Sequence, residues 1–150
     1  MKRKAIIFSV MAAGLLFVLP SCKKEDMTNE DAMPKGDFTV ERSGNLSGEN
    51  GITTAGKVEY GKDEDNVYFV HFGSDFSTDQ GSGTLGLYFS TSATFTADPQ
   101  NGNPDLKSVS TVTKNGEQYF KLDGSVSSSF THVILWCNTA QIAFGTAQLQ

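Results

Sequence analysis

Phe130-Thr131-His132-Val133-Ile134-Leu135-Trp136-Cys137 is the stretch whose reading decides the fold. In an extended strand alternate side chains face opposite ways, so Phe130, His132, Ile134 and Trp136 share one face and Thr131, Val133, Leu135 and Cys137 the other. Both sets are largely apolar. A strand of this kind is covered on both sides and belongs in the middle of a sheet. Val67 to Phe72 reads the same way, with Val67, Phe69 and His71 on one face and Tyr68, Val70 and Phe72 on the other.

Working outward, further strands are expected at Asp37 to Arg42, Ile52 to Tyr60, Thr84 to Ser90, Ala93 to Thr96, Ser108 to Val112, Glu117 to Leu122 and Gln141 to Leu149. Turn-forming residues separate them: Gly61 to Asn66, Asp79 to Gly83, Asp98 to Asp105 with its two prolines, and Asn115-Gly116. No segment repeats apolar residues at helical spacing over three turns. The chain is therefore expected to be all-β, an antiparallel β-sandwich or barrel of about eight to nine short strands. Asn115-Gly116 is the strongest hairpin signal, since both residues tolerate positive φ. The unit expected to fold is residues 37–150, long enough for one core.

The N-terminus reads differently. Lys2, Arg3 and Lys4 precede an uncharged run from Ala5 to Leu19, which is shorter than the roughly 20 residues that span a bilayer. Residues 1–21 are expected to be a cleaved signal peptide. Leu19-Pro20-Ser21-Cys22 resembles a bacterial lipobox, which makes Cys22 the candidate lipidation site and the membrane a partner through that lipid. Lys23-Lys24-Glu25-Asp26 resembles the tag that directs lipoproteins to the outer face of the outer membrane. The polar segment 22–36 is then a flexible tether with a root-mean-square span of roughly 20 Å.

Loss of the signal removes three of the 12 Lys and Arg, so that nine remain against 17 Asp and Glu and the formal charge is about −8. A surface so acidic repels phosphate backbones, and nucleic acid is not an expected partner. No G-x-S-x-G, Walker or H-E-x-x-H motif is present, so a self-contained enzyme is not expected. Asn101 to Asp105 alternates oxygen ligands as a calcium loop does, but Leu106 stands where that loop needs glycine and Val112 where it needs glutamate. No metal site is expected.

His71, His132 and Cys137 match by count the ligand set of a blue-copper site. Five residues separate His132 from Cys137 on one strand, and an odd separation sends them to opposite faces. Covalent c-type haem is excluded by the lack of C-x-x-C-H. A non-covalent haem with Cys137 or a histidine as axial ligand stays open, although the histidines do not converge with Cys137 and haem is not the favoured reading.

From Ser43 to Leu149 the chain resembles the DM-thirteen electron-transfer domain, a small β domain found near DOMON modules. Four segments carry the resemblance: Ser43-Gly44 with Thr54 to Val58; Asp75 to Thr78 with Leu85 to Ser90; Gly116 to Tyr119 with Leu122; and Phe130 to Cys137 leading to Ile142, Phe144-Gly145, Ala147 and Leu149. Ser82-Gly83-Thr84 replaces the family's usual Gly-Pro-Asp, and Ala140 stands where an aromatic is usual. The resemblance implies a redox role, with the cysteine acting as a bare thiol or as ligand to a group such as haem.

If Cys22 is lipidated, Cys137 is the only thiol of the mature domain and no internal disulfide can form. A redox Cys137 then needs a second component, such as a redox partner protein. Its place before the short Asn138-Thr139-Ala140 connection predicts an accessible position at the rim, while Trp136 is expected to plug the core. Two functions follow: a surface electron-transfer module using Cys137, or a non-catalytic binding or adhesion domain in which Cys137 is structural.

Overall fold

The computed structural model describes residues 33–80, 84–96 and 102–150, which form two antiparallel sheets. The first has the order β1-β3-β4-β7, from β1 (Thr39–Asn45), β3 (Lys57–Lys62), β4 (Tyr68–Phe72) and β7 (Gln118–Lys121). The second has the order β2-β9-β8-β5-β6, from β2 (Ser47–Gly48), β5 (Leu85–Ser90), β6 (Leu106–Val112), β8 (His132–Cys137) and β9 (Ile142–Gln148). The architecture is the all-β sandwich expected. The signal, lipobox and tether readings lie outside the described residues apart from 33–36.

The two strands with apolar side chains on both faces are interior, as their alternation requires: β4 lies between β3 and β7, and β8 between β9 and β5. Facing side chains from both sheets meet in one core, including Val58, Val70, Phe72 and Phe120 from the first and Leu85, Leu87, Phe89, Val133 and Leu135 from the second. All of these are essentially inaccessible to solvent, and burial of this kind contributes about 1.5–3 kcal/mol per large side chain.

The sheets join along one side. β1 runs in the first sheet, Leu46 turns into the core, and β2 continues in the second against Thr146 and Gly145. Ser43 and Gln150 exchange both backbone hydrogen bonds, at 3.0 and 2.9 Å, which seals this seam. A Cβ on Gly44 would stand 2.3 Å from the Gln148 carbonyl oxygen, so the seam needs a residue without a side chain there.

Three local expectations are corrected. Ala93 to Thr96 is not a strand but part of a loop that folds over the outer face of the second sheet. Residues 52–56 precede β3 as a loop: Gly56 has φ +119°, Ala55 bridges Ser77, and buried Thr54 bonds Thr78 and the Phe144 carbonyl, so local tertiary contacts override strand propensity. Asn115-Gly116 makes no hairpin, because it links β6 and β7, which lie in different sheets. Only Gly116 of the pair has positive φ; the Asn115 amide instead accepts from Thr78 N–H at 3.0 Å and donates to Thr78 O at 3.1 Å, pinning the crossover to residues 76–80.

Candidate functional site

Cys137 ends β8, paired with Leu85 of β5 on one side and Ile142 of β9 on the other. It shares the inward face with Val133 and Leu135, as the alternation of the strand dictates. The strand-end position agrees with the sequence, but the expected access does not. Cys137 is 0% exposed.

The connection after β8 explains this. Gln141, held at φ +57°, turns the chain so that its N–H donates to Cys137 O at 2.8 Å and the Ala140 N–H donates to Sγ at 3.3 Å. Asn138 donates from its backbone and side chain to Thr84 O at 3.1 and 3.2 Å. The Thr84 hydroxyl lies 3.9 Å from Sγ, shares a 2.7 Å hydrogen bond with the Thr139 hydroxyl and accepts the Thr139 N–H at 3.3 Å. An exposed four-residue turn, Asn138 to Gln141, is thereby latched to Thr84 over a buried sulfur.

Trp136 does not plug the core. With 133, 135 and 137 inward, it must face out, and there it stacks on Phe95 at 4.1 Å and 11°. Phe95 in turn meets Tyr88 edge-on at 5.0 Å. The half-buried indole is covered by Phe95, from the loop that takes the place of the strand expected at Ala93 to Thr96. A hollow of about 260 Å³ opens beside it, lined by residues that include Asn50, Thr94 and Gln141.

The structure does not bring the three candidate ligands together. His132 begins β8, five residues or about 16 Å of strand from Cys137, on the outer face, with Nδ1 2.9 Å from the Thr131 hydroxyl. His71 lies on the outer face of the other sheet. No group of three or more His, Cys, Asp or Glu side chains is placed to hold a metal ion among the described residues. A haem ligated by Cys137 needs open space on the sulfur, and the core and the latched turn enclose it. The residues present do not fit that group.

His71 has a setting that single-sequence reasoning missed. Register places Glu59, His71 and Tyr119 directly opposite one another across β3, β4 and β7. His71 Nδ1 is 2.8 Å from Glu59 Oε2 and Nε2 is 3.1 Å from Glu117 Oε1, while Lys57 Nζ is 2.5 Å from the other Glu59 oxygen. Tyr119 stacks on the imidazole at 4.1 Å, and Phe38 closes edge-on at 5.9 Å. Burial pushes the Glu59 carboxyl up, but hydrogen bonds and charge from Lys57 and His71 outweigh it and leave Glu59 below the usual carboxylate value. Burial, reinforced by the Glu117 and Glu59 charges, raises Tyr119 above the usual phenol value. The odd numbering of Glu59, His71, Glu117 and Tyr119 was visible; the strand register that aligns them was not.

Residues 46–149 match the family described as Electron transfer DM13. The chain belongs to that family. The matched span of this DM13 domain runs from Leu46, where β1 crosses between the sheets, to the end of β9, and includes Cys137 with its latch. Comparison with curated proteins and with solved structures gave no significant match.

Proposed function

We propose that this DM13 domain is an envelope-tethered redox module in which Cys137 is the reactive group, reached by opening of the Asn138–Gln141 turn. The observation that carries the reading is the family match across a domain whose single thiol lies directly beneath an exposed turn held to Thr84. In the open form the Cys137 thiolate attacks a sulfur of a partner's disulfide. A new S–S bond joins the two proteins, the partner's S–S bond breaks, and the partner's second sulfur leaves as thiolate. Cys137 is oxidised and the partner disulfide is reduced. The proton of the Cys137 thiol passes to solvent through the opened turn.

The N-terminal sequence supports the envelope part of the reading: a signal peptide over 1–21, lipid on Cys22 and a tether over 22–36 place the domain at the outer-membrane surface. Palmitate labelling tests it, with incorporation expected in the native chain and lost in Cys22→Ser. Label retained in the variant would overturn the lipobox.

The thiol chemistry is tested by incubating folded protein with oxidised glutathione and following the mass of the chain. A mixed disulfide at Cys137 that forms without denaturant and reverses with reducing thiol is expected. Full burial of Cys137 favours a second reading, a binding or adhesion domain with a structural cysteine. Modification only under conditions that unfold the whole domain would establish that one instead.

A further inference from the structure

We propose that His71 is the centre of a pH-dependent clasp that holds the entering N-terminal segment, through Phe38, on the outer face of the first sheet. The proposal is independent of the thiol chemistry and rests on a different part of the molecule. Phe38 precedes β1 and packs edge-on against three rings at once: His71 at 5.9 Å, Tyr119 at 5.7 Å and Phe69 at 6.5 Å. Two of those three contacts belong to the stacked His71–Tyr119 pair. The position of the imidazole therefore sets the surface on which Phe38 rests.

Carboxylates on both sides hold the imidazole in that position. A ring with a carboxylate oxygen at each nitrogen can donate to both only when both nitrogens carry a proton. The neutral ring donates once and turns a lone pair towards the other carboxylate, which repels it. The charged and titratable groups that face the ring are Glu59 and, behind it, Lys57 from β3, and Glu117 and Tyr119 from the segment that includes β7. With the lysine and both carboxylates ionised and the ring protonated, Lys57, Glu59, His71 and Glu117 form a row of alternating sign across the sheet face. Loss of the ring proton leaves that row with one uncompensated negative charge. At the other extreme, acid protonates the carboxylates and removes the acceptors.

The segment behind Phe38 has its own attachments. Lys35 N–H donates to Asp63 Oδ2 at 3.1 Å, Lys35 O accepts from Glu64 N–H at 3.3 Å, and Lys35 Nζ pairs with Asp65 at 2.8 Å. The Lys35–Asp65 pair is well exposed, and exposed pairs contribute little. Phe38 supplies the apolar part of the docking. Release of residues 35–38, which precede β1, would free four residues, about 14 Å of chain when extended.

The test is NMR of the full chain from pH 4 to 9, a range that brackets the ordinary histidine value of about 6.5. The readouts are the His71 ring protons, the Phe38 ring protons and the backbone order parameters of residues 35–40. In the native chain the Phe38 shifts and the order of 35–40 should change with the same midpoint as the His71 ring, order falling as the ring loses its proton. In His71→Gln that step should vanish while core methyl signals of Leu87 and Leu135 persist. Should that variant fail to fold, Glu117→Gln decides: it removes the charged acceptor at Nε2, and the size of the Phe38 step should fall. A Phe38 step that survives His71→Gln, a step of undiminished size in Glu117→Gln, or a change at the His71 ring that leaves Phe38 unmoved would overturn the clasp.

Discussion

Replacing Thr84 with valine separates a gated thiol from an inert one. The branched shape of the side chain is kept and its hydroxyl removed, and with the hydroxyl go the 2.7 Å bond to Thr139 Oγ1, the 3.3 Å bond from Thr139 N–H and the 3.9 Å approach to Cys137 Sγ. The bonds from Asn138 to the Thr84 carbonyl are backbone-directed at the acceptor and survive. Each lost hydrogen bond contributes about 1 kcal/mol net, so the closed turn is weakened by about 1–2 kcal/mol. That corresponds to about a 5–30-fold rise in the population of the open form. The assay is the rate of iodoacetamide alkylation of folded protein in a Cys22→Ser background, measured at low urea concentrations. Opening of a four-residue turn uncovers little surface, so the rate should be nearly flat in urea, whereas global unfolding carries a dependence of about 1–3 kcal/mol per molar. The native rate should exceed the global-unfolding limit, and Thr84→Val should raise it within the range given. An unchanged rate in the variant, or a rate in both proteins that follows the global urea dependence, would refute the latch.

Acid should destabilise the domain in a defined window. Asp63 is held below the usual carboxylate value first by the Lys35 N–H and then by those of Val67 and Asp65, which together outweigh its burial, and Glu59 is lowered net by Lys57 and His71. Folding favours both in the charged form, so their contribution is complete above the unfolded carboxylate value of about 4 and is lost as pH falls through the lower folded values. Urea midpoints should hold from pH 7 to about 5 and drop below about 4, with a smaller drop in Asp63→Asn; an equal drop in that variant would contradict the assignment. Gly56→Ala places a Cβ 2.5 Å from Phe76 Cα at a φ of +119°, so it should cost more than about 2 kcal/mol in thermal unfolding. Gly124→Ala, which meets nothing within 4 Å, should be close to neutral and serves as its control.

Alternation along single strands was legible because its period of two is a property of the chain alone. It placed β4 and β8 inside their sheets, sent His132 and Cys137 to opposite faces, and put Cys137 at a strand end. It could not say which face of β8 was inward, and that choice decides between a buried Trp136 and one stacked on Phe95. The partner ring comes from a loop 41 positions earlier, whose own apolar residues resemble a short strand. Access to Cys137 was misjudged for a related reason: a strand end is open only if the next turn leaves it open, and here Gln141 at positive φ and the hydroxyl of Thr84 fold the turn back over the sulfur. The Glu59–His71–Tyr119 row depends on the registers of three strands, and no local pattern encodes register across a 46-residue separation such as that from His71 to Glu117.

The topology also bears on how a partner would reach the thiol. Lys35 is bonded to the β3–β4 turn. The end of β3 lies beside the segment that feeds β8, since Tyr60 Oη accepts the Val126 N–H at 2.8 Å and Arg42, paired with Tyr60, donates to Phe130 O at 2.7 Å. β8 then runs away from that end for six residues, about 20 Å, before it reaches Cys137. Lys35 and the latched turn therefore lie at opposite poles of the sandwich. Under the tethered reading proposed above, the Asn138–Gln141 turn would face away from the attachment, where a partner protein would dock without meeting the lipid surface. An attachment at the Cys137 pole would have hidden the turn against the membrane.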